Sequence, residues 1–279
     1  MIDFIIGGAP KAGTTTLAEM LNCHPGIFIP PKKELFFFHH EKFDSTSYSN
    51  FFESSPPECM HGDATPTYLA DPDSALRLKT HNPKALCIFV LRDPVERAWS
   101  HYLFDQQHLK IPNNTSLRSA TENQEIRSRV IGESMYGELI PRFADCIGRE
   151  RILILFSSEL RKSPDQTLRK ALEFLGQEHL GIDIGDRSTN ITRIPRAGVA
   201  TLAYRSLYKF NAQVRKIFPK KVYTSNNWSP YDVLRTSVKS ILTTRDKPRI
   251  NPDDRKYLED LFQASNSKLE FFLGTPLPW

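Results

Sequence analysis

The chain has 279 residues and 32.0 kDa, with 39% hydrophobic residues, 25% charged residues and a mean hydropathy of −0.41. That composition excludes a fibrous chain, a disordered one and a membrane channel, and the length suits one large α/β domain. Lys and Arg number 37 against 32 Asp and Glu, a net charge of +5 that suits an anionic ligand and falls short of a dedicated nucleic-acid binder.

Phe4 to Gly7 is a short apolar run, followed by a glycine-rich turn and by Thr14 to Asn22. In that last piece Leu17, Met20 and Leu21 recur at helical spacing, so the opening reads as strand, loop and helix. Asp71-Pro72 combines an N-cap with proline at the first helical position and predicts a helix to about His81. Ala85 to Leu91 is a continuous apolar run, the pattern of a parallel strand buried on both faces, and a helix follows from Pro94 to Phe104. Arg151 to Phe156 repeats the buried-strand pattern. Ser163-Pro164-Asp165 then starts a helix that reaches Leu175-Gly176. Asn251-Pro252-Asp253-Asp254 opens a last helix that ends before Gly274. The polar stretches 105–115 and 219–230 read as surface loops or lids. This alternation predicts an α/β fold in a single domain over residues 1–279, three layers deep, with a central parallel sheet flanked by helices.

Cys23, Cys59, Cys87 and Cys146 form no Cys-x-x-Cys pair, which argues against a zinc site or a disulfide framework and for a reducing compartment. The start of the chain lacks a basic signal-peptide region, and no stretch approaches the ~20 apolar residues of a membrane span. The expected location is the cytoplasm.

The strongest chemical signal is Gly7-Gly8-Ala9-Pro10-Lys11-Ala12-Gly13-Thr14-Thr15-Thr16, between the first strand and the first helix. Small residues let backbone N–H groups approach an anion, and the helix N-terminus adds the positive end of its dipole. A Walker A loop, G-x-x-x-x-G-K-[ST], places lysine directly after its second glycine. Here Gly8 and Gly13 keep the spacing, but position 14 is threonine and the lysine is Lys11. A second signal, Leu91-Arg92-Asp93-Pro94-Val95-Glu96-Arg97-Ala98-Trp99-Ser100-His101-Tyr102, begins at the end of a buried strand, where ligands of open α/β sheets bind. Arg92 and Ser100 are placed to converge on a second phosphate.

Together the two segments resemble the sulfotransferases that use 3′-phosphoadenosine 5′-phosphosulfate (PAPS), and most of all the heparan-sulfate-type branch and its bacterial relatives. Lys11, Gly13, Thr14 and Thr15 match the family's K-x-G-T-[TS] segment for the 5′-phosphosulfate, with Ala12 inside it. Leu91 through Tyr102 match its L-R-D-P-x-x-R-x-x-S-x-Y segment for the 3′-phosphate. Lys33-Glu34-Leu35-Phe36-Phe37-Phe38 is similar to a segment whose glutamate is the catalytic base, and Gly62 to Tyr68 is similar to G-E-K-[ST]-P-x-Y with Ala64 where the lysine stands. The C-terminal Asn266, Leu269, Leu273-Gly274 and Trp279 resemble the family's closing helix and tryptophan.

The resemblance implies sulfuryl transfer to an acceptor hydroxyl on a carbohydrate, lipid or other small molecule, by in-line displacement that releases adenosine 3′,5′-bisphosphate (PAP). It implies Lys11 as stabiliser of the leaving group, Glu34 as base, and Arg92, Ser100 and the loop arginine Arg196 as 3′-phosphate ligands. A lysine on the loop can neutralise the developing charge, so no metal is required. A carboxylate beside three phenylalanines is expected to be partly desolvated. His39 and His40 are candidates to touch the acceptor or assist Glu34, with an exposed pair as the simpler reading. Tyr136 falls where the family has a helix facing the donor, and a packing role fits it equally. Arg193 belongs to the same basic loop as Arg196, and the basic run Arg205, Lys209, Arg215, Lys216, Lys220 and Lys221 reads as a solvated helix face, with an acidic acceptor or a membrane surface as the alternative. Two rivals stand beside this reading: a P-loop nucleotide kinase, which needs Mg²⁺ and a lysine at position 14, and a catalytically silent nucleotide-binding module.

Overall fold

The computed structural model describes residues 1–32, 34–40, 48–108, 110–112, 114–181, 194–195, 243–244 and 248–279. Strand β1 (Phe4–Gly8) is buried along its whole length, and β4 (Leu86–Leu91) along all but its first residue. Double burial is why both read as unbroken apolar runs in the sequence. With β2 (Ile27–Phe28), β3 (Met60–Asp63) and β5 (Ile152–Phe156) they form a parallel five-stranded sheet in the order β2-β3-β1-β4-β5. The register pairs Ile5 with Asp63 on one side of β1 and with Cys87 on the other, and β4 continues to β5 through Val90 opposite Leu155. A second, antiparallel pair joins β6 (Ile194–Pro195) to β7 (Thr243–Thr244).

Chain order leaves β1 toward β3 and then returns to the other side of β1 at β4, so the topology switches direction beside β1. In such sheets the crevice past the carboxyl ends of the strands at the switch is where ligands bind. Here those ends lead directly into residues 9–13, 64–68 and 92–93.

The helices largely follow the sequence reading. The first spans Thr14–Leu21. The helix after β4 spans Pro94–Gln107, three residues beyond the expected end, so part of the anticipated polar loop is helical. Pro164–Phe174 and Pro252–Leu273 begin where their Ser-Pro and Asn-Pro signals place them, and the last helix ends at Gly274 in the left-handed conformation (φ 70°). The helix expected from Asp71 starts instead at Ser74 and runs to His81, because the Asp71 carboxylate accepts the N–H groups of Asp73 and Ser74 from outside it. The Tyr136–Ile147 helix packs against the C-terminal helix, where the Ser265 hydroxyl accepts the Gly137 N–H at 3.0 Å. Trp279 lies edge-on to Phe156 at 5.6 Å and to the buried Tyr136 at 6.4 Å. This favours packing over donor contact for Tyr136.

Candidate active site

The loop after β1 is shaped by close contacts. A Cβ on Gly8 would meet Leu69 Cβ at 2.8 Å and the Pro66 carbonyl at 3.1 Å, so only glycine lets β1 pass this close to the segment after β3. Gly13, at φ 109°, turns the chain into the Thr14–Leu21 helix. The first turn of that helix carries no acidic side chain, and its N–H groups have no intrahelical partner to give to. The result is an anion cradle at the end of the central strand. Lys11, itself left-handed at φ 70°, projects its Nζ over the Phe104 ring, 4.1 Å from the centroid.

Beside the loop, Asp93 caps the Pro94–Gln107 helix by accepting the Val95 N–H at 2.8 Å. Arg92 is thereby fixed at the mouth of β4. Its Nη1 is 3.4 Å from the Lys11 carbonyl and its Nη2 is 3.3 Å from Glu96 Oε2. Burial pushes the Arg92 pKa down, and Glu96 pulls it back up. Ser100, two turns along the helix, is buried. Arg97, the motif's other arginine, is fully buried. It donates to Ser134, to Glu133 at 3.0 Å and to the carbonyls of Arg129 and Val130 at 2.7 and 2.6 Å, with His101 at 3.1 Å. It pins the 129–134 segment to the helix and is structural.

The third wall is the segment around Glu34. Asp63, at the end of β3 and fully buried, accepts hydroxyl hydrogen bonds from Thr65 at 2.7 Å, Tyr68 at 2.8 Å and Tyr48 at 3.0 Å. Burial pushes its pKa up while the three hydroxyls oppose that shift. Thr65 Oγ1 and the Tyr68 hydroxyl in turn receive the Phe36 and Phe38 N–H groups at 3.4 Å, and the Ala64 carbonyl receives the Glu34 N–H at 3.3 Å. The acid, hydroxyl and tyrosine of Gly62-Asp63-Ala64-Thr65-Pro66-Thr67-Tyr68 therefore form the bed on which the Glu34 loop rests.

These walls enclose a cleft of about 440 Å³ lined by Lys11, Gly13, Thr14, Thr15, Glu34, Arg92 and Ser100, together with Phe36, Thr67 and Phe104. Lys11, Glu34 and Phe36 are three of the four non-glycine residues with positive φ among those described, a concentration typical of functional sites. A second cleft of about 380 Å³ shares Arg92 and Ser100 with the first and adds Trp99, Arg249 and Arg255. Arg255 holds the other oxygen of Glu96 at 2.8 Å.

Of the residues singled out from sequence, Ala12 is buried and lies outside the cleft lining. Glu34 is exposed, so the desolvation expected from its three phenylalanines does not occur: Phe37 and Phe38 turn inward, away from it. His39 belongs to a side-chain network rather than to an exposed pair, while His40 is exposed. Arg193, Arg196 and the run 205–221 lie outside the described residues. Thr67, His101, Lys110, Arg129 and Glu133 also line the cleft. Thr67 and His101 occupy variable positions inside the two motif segments, while Lys110, Arg129 and Glu133 belong to no motif and are brought there by three-dimensional packing. Among the described residues no group of three His, Cys, Asp or Glu is placed to hold a metal ion, and no helix is long and apolar enough to cross a membrane.

A family model described as "Sulfotransferase domain" matches residues 1–191. Membrane-associated sulfotransferase kil1 of Dictyostelium discoideum is 38% identical over 125 residues, covering 43% of this chain and 26% of that protein. Bifunctional heparan sulfate N-deacetylase/N-sulfotransferase 1 of Caenorhabditis briggsae is 27% identical over 195 residues, covering 62% and 22%. The chain thus spans about a quarter of the length of these curated relatives. A crystal structure of a sulfotransferase from Alicyclobacillus acidocaldarius shares the fold, with a TM-score of 0.69 at 23% identity over 99% of this chain and 97% of that one. With the family match extending over more than half of its length, the chain belongs to the sulfotransferase domain family.

Proposed function

We propose that residues 1–279 form one sulfotransferase domain that transfers a sulfuryl group from PAPS to a hydroxyl of a small-molecule or carbohydrate acceptor. The observation that carries this reading is the convergence of the Lys11 loop and the Arg92–Ser100 helix on one cleft from the adjacent strands β1 and β4, with Glu34 on the facing wall. The cleft fits the donor. Its glycine-built cradle suits a 5′-phosphosulfate, and the Arg92–Ser100 junction between two clefts suits a second, 3′-phosphate. Bound there, PAPS supplies the sulfuryl group: its S–O bond to the phosphate breaks as the acceptor oxygen bonds to sulfur.

The chain's own residues do the rest. Lys11 holds a positive charge at the loop where the departing phosphate oxygen gains negative charge, and preorganised charge of this kind is the main catalytic resource in such sites. Glu34 takes the proton that the acceptor hydroxyl loses. Arg92 and Ser100 hold the 3′-phosphate, and the resemblance adds Arg196 as a further ligand of it. Because Lys11 and Arg92 supply the positive charge, the reaction proceeds without a metal ion and survives EDTA. Thr14, where a nucleotide kinase needs lysine, disfavours that rival. Four free cysteines support a reducing, cytoplasmic setting.

The test is incubation of the purified chain with PAPS and an acceptor panel, read by mass spectrometry. Gain of one SO₃ unit by an acceptor with matching release of PAP is expected, in EDTA as without it. Transfer of phosphate from ATP–Mg²⁺, or no transfer while PAP fails to bind, would overturn the reading.

A further inference from the structure

One wall of the cleft carries a hydrogen-bonded chain with no part in the steps above. Thr67 lines the cleft, and its hydroxyl lies 2.8 Å from His39 Nε2. His39 Nδ1 lies 2.8 Å from Asp71 Oδ2. The other Asp71 oxygen accepts the N–H groups of Asp73 at 3.0 Å and Ser74 at 2.7 Å, with Arg77 Nη1 at 3.4 Å. A carboxylate ringed by donors serves as an acceptor, so the ring proton of His39 belongs on Nδ1. Nε2 then offers a lone pair, and the Thr67 hydroxyl donates to it. The one proton of that hydroxyl is committed inside the protein. What Thr67 presents to the cleft is oxygen lone pairs. Phe36, 40% exposed, lines the same cleft with its ring 5.8 Å from that of His39, so an apolar surface adjoins the polar one.

We propose that His39 and Asp71 hold Thr67 as a hydrogen-bond acceptor that orients the incoming substrate, selecting molecules that carry a second hydroxyl or amine beside the hydroxyl that is sulfated. The proposal rests on the sulfotransferase reading. Thr67 is the specificity-determining contact, His39 and Asp71 are positioning residues, and Glu34 keeps its role as proton acceptor. A substrate lacking the second donor forfeits one neutral hydrogen bond, roughly a 3- to 10-fold loss in kcat/KM.

The experiment is long-range ¹H–¹⁵N NMR of the His39 imidazole in the full chain with PAP, assigned through His39→Gln. The ring is expected to hold its proton on Nδ1, with Nε2 unprotonated. Titration with ethane-1,2-diol, the smallest molecule with two adjacent hydroxyls, should move the Nε2 resonance. The ether 1,2-dimethoxyethane, which only accepts hydrogen bonds, should not. Thr67→Val should abolish the response to the diol and Thr67→Ser should restore it. An Nε2–H tautomer, an imidazolium, or the same response to diol and ether would overturn the proposal, and all three are read on the wild-type chain. Failure of PAP to bind the wild type would instead defeat the sulfotransferase reading, with the tautomer still measurable.

Discussion

Arg92 offers the most quantitative test of the donor site. It touches both clefts, and its present partners are the Lys11 carbonyl at 3.4 Å and Glu96 at 3.3 Å, both at the long end of hydrogen-bond range. These bonds are easily exchanged for those to a phosphate, so little of the ligand contact is offset by what Arg92 gives up. Replacing it by alanine also leaves no orphaned charge, since Arg255 still holds Glu96 at 2.8 Å. The mutation should therefore act on the ligand and spare the fold. A charge-assisted hydrogen bond is worth about 1.5–3 kcal/mol, so Arg92→Ala should weaken PAP by roughly one to two decades. Adenosine 5′-monophosphate lacks the 3′-phosphate and should lose far less. Isothermal calorimetry with both ligands measures the difference. Equal losses, or an unchanged PAP affinity, would refute the placement of the 3′-phosphate at Arg92.

Three further outcomes are expected. Lys11→Ala should lower sulfuryl transfer by at least ~10²-fold, the usual scale for removing one preorganised charge stabiliser, and near-normal turnover of the folded variant in a single-turnover assay would contradict its role. Glu34→Gln should lower turnover by ~10²–10⁴-fold with PAP affinity unchanged, because it removes the proton acceptor at an exposed side chain and keeps its shape; retained activity would move the base elsewhere. His101 is buried between Arg97 at 3.1 Å and Glu133 at 3.3 Å, and burial is the largest influence holding its pKa below the usual 6.5. The unfolded chain therefore binds this proton first, so the stability present above about pH 6.5 is lost as pH falls toward the folded-state pKa. His101→Asn should flatten the fall in unfolding temperature between about pH 7.5 and 5.5, and an unchanged slope would show that His101 does not carry it.

Much of the fold is legible because β1 and β4 take their sequence from burial on both faces, because the apolar run of β5 persists although its Leu153, Ile154 and Phe156 are only half-buried at the sheet edge, and because Asn251-Pro252 and Ser163-Pro164 start helices by local chemistry alone. Strand β3, Met-His-Gly-Asp, has only one large apolar residue, and tertiary pairing makes it a strand: Gly62 leaves room for the Phe4 ring of β1. Asp71 misplaces a helix start because its carboxylate caps from two residues upstream and also serves His39.

The site divides in the same way. Lys11, Thr14, Thr15, Arg92 and Ser100 lie in contiguous segments at strand ends and line one cleft as their motifs imply. Thr67 and His39 are 28 positions apart, and Arg97 and Glu133 are 36 apart, so only the folded chain brings each pair together. The exposure of Glu34 follows from the left-handed turn at Glu34 and Phe36, which sends Phe37 and Phe38 into the core; apolar neighbours in sequence do not fix which side of the backbone they cover.

A crystal structure of the chain with PAP tests the central claim most directly. The 5′-phosphate is predicted against the backbone N–H groups at the start of the Thr14–Leu21 helix with Lys11 beside it, and the 3′-phosphate against Arg92 and Ser100. PAP bound away from this cleft, or with its 3′-phosphate remote from Arg92, would contradict the account.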